Sequence, residues 1–347
     1  MQIRTLVVFF LMVIVVIAGC STPSTNPAPT LELEPTKTPV SPTAVPHTPT
    51  SPSPVSILLA PPGGNPRLVD ILTSEIKGQA QKQGLRFQVR ESLTEQDFQL
   101  DPIDQVVVLA PYPALADLVQ EAPETSFLAV GFPELEASQN LSVVRSGEDK
   151  LDIHGFVAGY IAAMITPDWR VAALGLQENE AAQAARQAFV LGAKYYCGLC
   201  LPKYAPTGVN YLYPKYVEFP PEVTEAEKQA SARFLVDRAV ETIYVVPGAG
   251  SPELYQSLVE MDVSIIGSGE DYQPAYQGSW AASLSFDLPG TVVGYLPDFF
   301  NGEVGLEIST PLIVEDVNHE LLSEGRLREA REILEEVSQG WISTTAE

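Results

Sequence analysis

The sequence predicts an α/β protein: two doubly wound parallel-sheet lobes, preceded by an apolar leader and an extended stalk. Three observations point there. From Val55 onward, short apolar runs alternate with helical patterns, as expected of parallel strands covered by helices on both faces. About 290 residues follow the stalk, too many for one ordinary lobe and suited to two. Hydrophobic residues make up 45% of the 347-residue chain and the mean hydropathy is +0.07, which allows a large core and excludes a wholly disordered chain.

Arg4 is the first and only charge before a run of uncharged residues, 5–19 (TLVVFFLMVIVVIAG), followed at once by Cys20. A spanning helix needs about 20 apolar residues. This shorter run, with small residues at its end, suits a signal-peptide core. Ile17-Ala18-Gly19-Cys20 resembles a bacterial lipobox, in which the cysteine thiol receives a diacylglyceryl group and cleavage falls just before it. Residues 1–19 are therefore expected to be a lipoprotein signal peptide, with Cys20 as the lipidation site. An uncleaved signal anchor is the alternative. Two acyl chains suffice for stable anchoring, at roughly 0.8 kcal/mol per buried CH₂, so the expected location is the extracytoplasmic face of the cell membrane. Residues 20–54 form the lipidated cysteine and its stalk. Of the 34 residues 21–54, 23 are Pro, Thr or Ser, a composition that buries no core and favours extended polyproline II.

The folded part reads in order as follows. Residues 55–60 (VSILLA) form a buried strand, 68–83 a helix with apolar spacing at Leu68, Ile71, Leu72 and Ile76, and 86–90 an alternating strand. Residues 105–110 (QVVVLA), 126–130 (SFLAV) and 141–145 (LSVVR) are strands, with a short helix at 114–121. A helix at 153–165 carries an apolar stripe through Phe156, Val157, Tyr160, Ile161 and Met164. Strands at 171–175, 211–219, 243–246, 264–266 and 280–286 follow. The helices among them are 180–196, 224–240 and 252–261. Residues 289–301 and 321–337 close the chain as helices. In the last, Glu324, Arg328, Glu332, Arg331 and Glu335 stand at i,i+4 spacings that support a solvated face.

Ligands of open α/β sheets sit beyond the carboxyl ends of the strands, so the residues that follow each strand are the candidates. They are Asn65 after the first strand, Tyr112 after QVVVLA, Phe132 after SFLAV and Gln177 after VAALG. Gly248 and Ser251 follow IYVV, and Glu270 and Asp271 follow SII. Glycine, aromatic and polar groups with one acidic pair suit a small, polar, partly aromatic solute. Turns need Gly and Pro in any case.

With 44 acidic and 20 basic residues, the net charge is -24. Such a chain does not neutralise a nucleic acid polymer. Three histidines leave little for His-based catalysis or a metal site, and neither a metal nor a cofactor is expected. No G-x-S-x-G elbow, H-E-x-x-H or P-loop lysine occurs, so an enzyme, such as a hydrolase using Glu270 and Asp271, is the weaker class. Cys197 and Cys200 are expected to pair outside the cytoplasm. A redox pair is disfavoured because the motif follows a helix instead of opening one.

Several stretches resemble the basic-membrane-protein (BMP-like) family, the substrate-binding lipoproteins of ABC transporters with the type 1 periplasmic-binding fold. Residues 105–132 resemble its strand, aromatic turn, helix and strand. GFVAGYIAA (155–163) is similar to its crossover helix. Residues 171–193, IIGSGEDYQ (265–273) and FFNG (299–302) are similar to later segments. The resemblance covers roughly residues 104–302 and implies two lobes joined by three crossovers. On it, residues 55–148 plus 287–347 make the first lobe and 149–286 the second. It implies an aromatic in the first lobe stacking on a nucleoside base, which falls on Tyr112. It also implies an acid in the second lobe holding sugar hydroxyls, which falls on Asp271, with Glu270 in the alternative register. Two features depart from the family: the first turn, Pro61-Pro62-Gly63-Gly64-Asn65, has no Phe or Asp, and 282–287 lacks the late lysine. The implied partners are a small-molecule solute and an ABC permease in the membrane, with the chain itself a monomer. A sensor that binds solute without transport is the alternative.

Overall fold

The computed structural model describes residues 53–63, 65–198, 212–220 and 222–345. The leader, Cys20, the stalk to residue 52 and Cys200 lie outside the described residues. The described residues cluster as one compact unit.

The first lobe runs β1 (Val55–Leu59), α1 (Pro66–Lys82), β2 (Arg86–Arg90), α2 (Glu95–Leu100), β3 (Ile103–Leu109), α3 (Leu115–Glu121), β4 (Ser126–Val130) and β5 (Leu141–Val144). The chain then enters the second lobe: α4 (Leu151–Ile165), β6 (Val171–Leu176), α5 (Glu180–Cys197), β7 (Lys215–Phe219), α6 (Glu225–Val236), β8 (Thr242–Val245), α7 (Pro252–Glu260), β9 (Ser264–Gly267) and β10 (Trp280–Phe286). It returns through α8 (Leu288–Phe300) and β11 (Glu307–Ile308), and crosses a third time to β12 (Leu312–Glu315) and α9 (Glu324–Ser338).

Each lobe holds a six-stranded sheet, ordered β11-β5-β4-β3-β1-β2 and β12-β10-β9-β8-β6-β7. The winding is the same in both: the first strand lies between the second and the third, and the order then runs outward. All pairs in the first sheet are parallel, and β10–β12 is the antiparallel pair of the second. β1, apolar except for Ser56, is buried at every position because helices cover both faces of its sheet. On one face Ile57, Val106, Val108 and Phe127 pack together. On the other, Leu58, Val107 and Leu128 meet Leu72 of α1 and Leu296 and Phe299 of α8. The alternating strand β2 is the sheet edge, and its Val89 is 47% exposed.

The second lobe is framed by α4 and α5, which touch backbone to backbone. A Cβ at Gly155, Gly159 or Gly192 would overlap the carbonyl of Ala185, Phe189 or Phe156 respectively. Beside them His154 is fully enclosed. Its Nε2 donates to the Leu284 carbonyl at 3.0 Å, and Tyr244 donates its hydroxyl to Nδ1 at 2.8 Å. Burial pushes this imidazole down to about 4, so it is neutral at pH 7 with its proton on Nε2.

The structure corrects the expected lobe boundary. α8 packs on the first sheet and β11 pairs with β5 of that sheet, whereas β12 pairs with β10 of the second. Leu327, Ala330, Ile333, Leu334 and Val337 of α9 join the second lobe's core. The mixed charges had suggested a helix that is chiefly solvated, yet its apolar stripe finds α4; Tyr160 donates to Glu329 at 2.7 Å across that contact. Of the anticipated i,i+4 ion pairs, Arg328–Glu332 is formed, at 3.9 Å. Three short elements were not anticipated: α2, β11 and β12. The helix expected at 224–240 ends at Val236.

The three crossovers lie side by side. Arg145 N donates to Ile308 O at 3.0 Å and Asp287 N to Pro311 O at 3.0 Å, while the Thr310 hydroxyl donates to Arg145 O. Gly147, in the left-handed region at φ 88°, lies against the Phe286 ring, where a side chain would collide. The carboxyl ends of β5, β11 and β10 therefore meet at one hinge, and the strand-end turns of both lobes flank the same interlobe region.

Candidate functional site

In the second lobe β9 ends in Gly267 and continues through Ser268-Gly269-Glu270-Asp271. The turn is closed by Asp271 N donating to Ser268 O at 3.1 Å. One oxygen of the Asp271 carboxylate, Oδ2, accepts two hydroxyl hydrogen bonds: from Tyr255 at 2.9 Å and from Ser268 at 2.8 Å. Glu270 is exposed beside it.

Tyr255 sits on α7 and is only 1% exposed. Its ring lies 5.4 Å from Trp280 and 5.8 Å from Tyr276. Two glycines make room for it. A Cβ at Gly250 would overlap the Tyr255 hydroxyl, and one at Gly267 would come within 2.6 Å of Trp280 Cη2. Desolvation, with Asp271 beside it, pushes the phenol far above its ordinary range, so the hydroxyl is a permanent donor. Tyr276 and Trp280 are buried, and Tyr272 is half-buried against Trp280.

A second carboxylate, unanticipated, approaches the same turn. Glu315 of β12 reaches the space a Gly269 side chain would fill, beside Ser285, and Ser285 Oγ accepts from Gly269 N at 2.9 Å. Sequence reading missed Glu315 because β12 is four residues long. It missed Tyr255 because an aromatic on an amphipathic helix carries no distinguishing signal; the glycines at both neighbouring strand ends were the available hint.

The other candidates divide by role. Asn65 caps α1, its Oδ1 accepting from Arg67 N at 3.0 Å and Leu68 N at 3.3 Å. Ser251 caps α7 through Leu254 N at 3.3 Å and donates to Glu225, a hydrogen bond that holds the Glu225 carboxyl below its usual range, with Lys228 helping. Gly248 turns at φ 82°. Gln177 is exposed and its backbone N donates to Phe219 O at 2.7 Å.

In the first lobe Tyr112 follows Pro111 and is half-buried against the core. Its hydroxyl donates to Leu93 O at 3.0 Å and accepts from Leu93 N at 3.2 Å. Phe132 packs on the same core. Its loop is clamped by Arg145, which donates to Pro133 O at 2.7 Å and pairs with Glu307 at 2.9 Å.

Two surface hollows, of about 420 and 410 Å³, lie elsewhere, one along α6 and α7 and one at the amino ends of β1 and β3. Cys197, the last residue of α5, is disulfide-bonded; its expected partner Cys200 lies outside the described residues. Among the described residues no group of His, Cys, Asp and Glu is arranged to hold a metal ion. No helix among them is long and apolar enough to cross a membrane.

Solved structures share this architecture. An ABC transporter solute-binding protein from Conexibacter woesei superposes with a TM-score of 0.57 at 17% identity, over 84% of this chain and 98% of its own. A periplasmic ribose ABC transporter protein from the same organism gives 0.51 at 14% identity, over 84% and 97%. The fold is the type 1 periplasmic-binding fold. A transcriptional activator of the comK gene from Bacillus halodurans is also similar, at 0.54 and 12% identity, over 84% and 99%, so the shared fold serves proteins of different roles. No protein-family model matches the chain and no curated protein sequence does.

Proposed function

We propose that this chain is an extracytoplasmic solute-binding lipoprotein of an ABC uptake system. In this reading it takes a small polar solute, with a nucleoside as the first candidate, between its lobes by hinge closure. The observation that carries it is the Asp271 carboxylate, braced from behind at a strand end of the second lobe, on the hinge side that both sheets share. A carboxylate so placed accepts hydrogen bonds from solute hydroxyls. Tyr112 and Phe132 supply aromatic surface on the first lobe, and Gln177, Gly248, Ser251, Asn65 and Glu270 stand at neighbouring strand ends.

Closure is a population shift, set by how much better the closed form binds. Moving a 1:99 balance to 99:1 takes about 5.5 kcal/mol. A base stacked on an aromatic contributes roughly 1–3 kcal/mol and each hydrogen bond to a carboxylate about 1.5–3 kcal/mol. One stacked base and two such hydrogen bonds give about 4–9 kcal/mol, a range that spans the amount needed. The closed form then docks on a membrane permease, while Cys20 keeps the chain at the membrane. Thermal melting with adenosine, ribose and myo-inositol at millimolar concentration tests the reading: the expected result is a rise in Tm with at least one, together with a smaller radius of gyration in solution scattering. An unchanged Tm with all three sinks it.

A further inference from the structure

We propose that Tyr255 is the positioning residue of the site: its buried hydroxyl fixes the Asp271 carboxylate so that the remaining oxygen, Oδ1, is offered to a hydrogen-bond donor of the solute. This rests on the solute-binding reading above and deepens it. Tyr255 touches no solute; it acts through Asp271.

Four features support the assignment. The hydroxyl is aimed at Oδ2 at 2.9 Å, and Ser268 donates to the same atom at 2.8 Å, so this oxygen is taken up by the protein. No donor among the described residues reaches Oδ1. The ring is locked between Trp280 and Tyr276, which keeps the hydroxyl from following the carboxylate if it turns. Gly250 and Gly267 both lack the side chain that would collide with Tyr255 or Trp280, so two strand ends are shaped around this one phenol.

The chemistry restricts the solute. An ionised carboxylate accepts hydrogen bonds and donates none, and a group that recognises its partner by a fixed acceptor rejects analogues that lack the donor. The solute therefore presents a hydroxyl or amino N–H to Asp271, and a deoxy analogue that lacks it binds worse.

The experiment uses the full-length protein, with adenosine and ribose as probes in calorimetric titration, and crystal structures of wild type and Tyr255→Phe. Tyr255→Phe removes one oxygen and keeps the ring, so the variant folds with a similar Tm. Its expected effects are a displaced Asp271 carboxylate and an affinity about tenfold weaker. In the Asp271→Asn background Tyr255→Phe has no further effect, because the cycle isolates the pair. A carboxylate that stays in place in Tyr255→Phe overturns the proposal, as does an equal loss of affinity in both backgrounds or none in either. If wild type binds neither probe, the solute-binding reading has failed for these ligands. The carboxylate position in Tyr255→Phe still decides whether the phenol positions it.

Discussion

At the mouth of the first lobe Tyr112 turns its hydroxyl inward, to both backbone groups of Leu93. At the mouth of the second, Tyr255 turns its hydroxyl toward a carboxylate that stands at the strand ends. Both tyrosines are ordered by hydrogen bonds, yet one stabilises a loop and the other holds a polar group in place. The framework behind them differs in the same sense. The first lobe packs two helical layers on a sheet through ordinary side chains, whereas the second carries a glycine-lined contact between α4 and α5, an enclosed histidine and an aromatic cluster behind Asp271. The proposed binding carboxylate is thus held by groups of its own lobe, as pre-organisation of a binding group requires.

The largest effect that would test this contrast comes from the helix contact. Gly159→Ala places a methyl into the Phe189 carbonyl and is expected to cost about 3 kcal/mol or more by overpacking against backbone. Gly131→Ala at the first lobe's mouth meets only Ala110 Cβ at 3.8 Å, and its penalty comes from φ 78°, about 1–2 kcal/mol. Urea unfolding of both variants gives the order; similar costs would remove the distinction.

Next comes pH. His154 has its folded pKa lowered from 6.5 to about 4, so between those values the unfolded chain binds more protons. Its contribution is fully present above pH 6.5 and is lost as pH falls through that window, about 3 kcal/mol in all. Unfolding midpoints of wild type and His154→Gln at pH 7 and pH 4.5 check this: the variant should lose less on acidification. Equal losses would place the acid sensitivity elsewhere.

Solute affinity gives a third comparison. Asp271→Asn is expected to weaken binding roughly tenfold to a hundredfold, the worth of a hydrogen bond to a charged acceptor. Tyr112→Phe removes a hydroxyl already committed to Leu93 and leaves affinity nearly unchanged. Calorimetry of the two against the same solute sharpens the contrast between the mouths, and a greater loss in Tyr112→Phe would reverse it. The smallest effect is at Asn65. Its replacement by Ala removes the α1 cap, worth about 1 kcal/mol of stability, with solute affinity preserved. A loss of affinity there would return Asn65 to the binding set.

Much of the architecture was legible because strand and helix patterns are local. VSILL and SFLAV are recognisable as buried strands without reference to their neighbours, and RFQVR reads as an alternating strand. The elements that escaped are those with too little local pattern: EQDFQL buries none of its residues, and β11 is two residues long. The site was legible only in outline. The rule that strand ends carry the site pointed to Asp271, Asn65 and Ser251 alike. Two of the three are helix caps, which a lone polar residue before a helix cannot reveal when the same residue types serve both purposes.

By itself, the sequence determined the alternation of strands and helices, the two lobes and the turns at their strand ends, since hydrophobic period and turn chemistry act over a few residues. Only the tertiary structure decided that β12 and α9 return to the second lobe, and which strand-end polar group is held from behind. Those outcomes depend on groups brought together across the chain: Tyr160 meets Glu329 over 169 positions and Tyr255 meets Asp271 from a separate helix. No local period encodes such a meeting; it follows from which apolar face is left for the last helix to cover and which glycines leave room for a phenol.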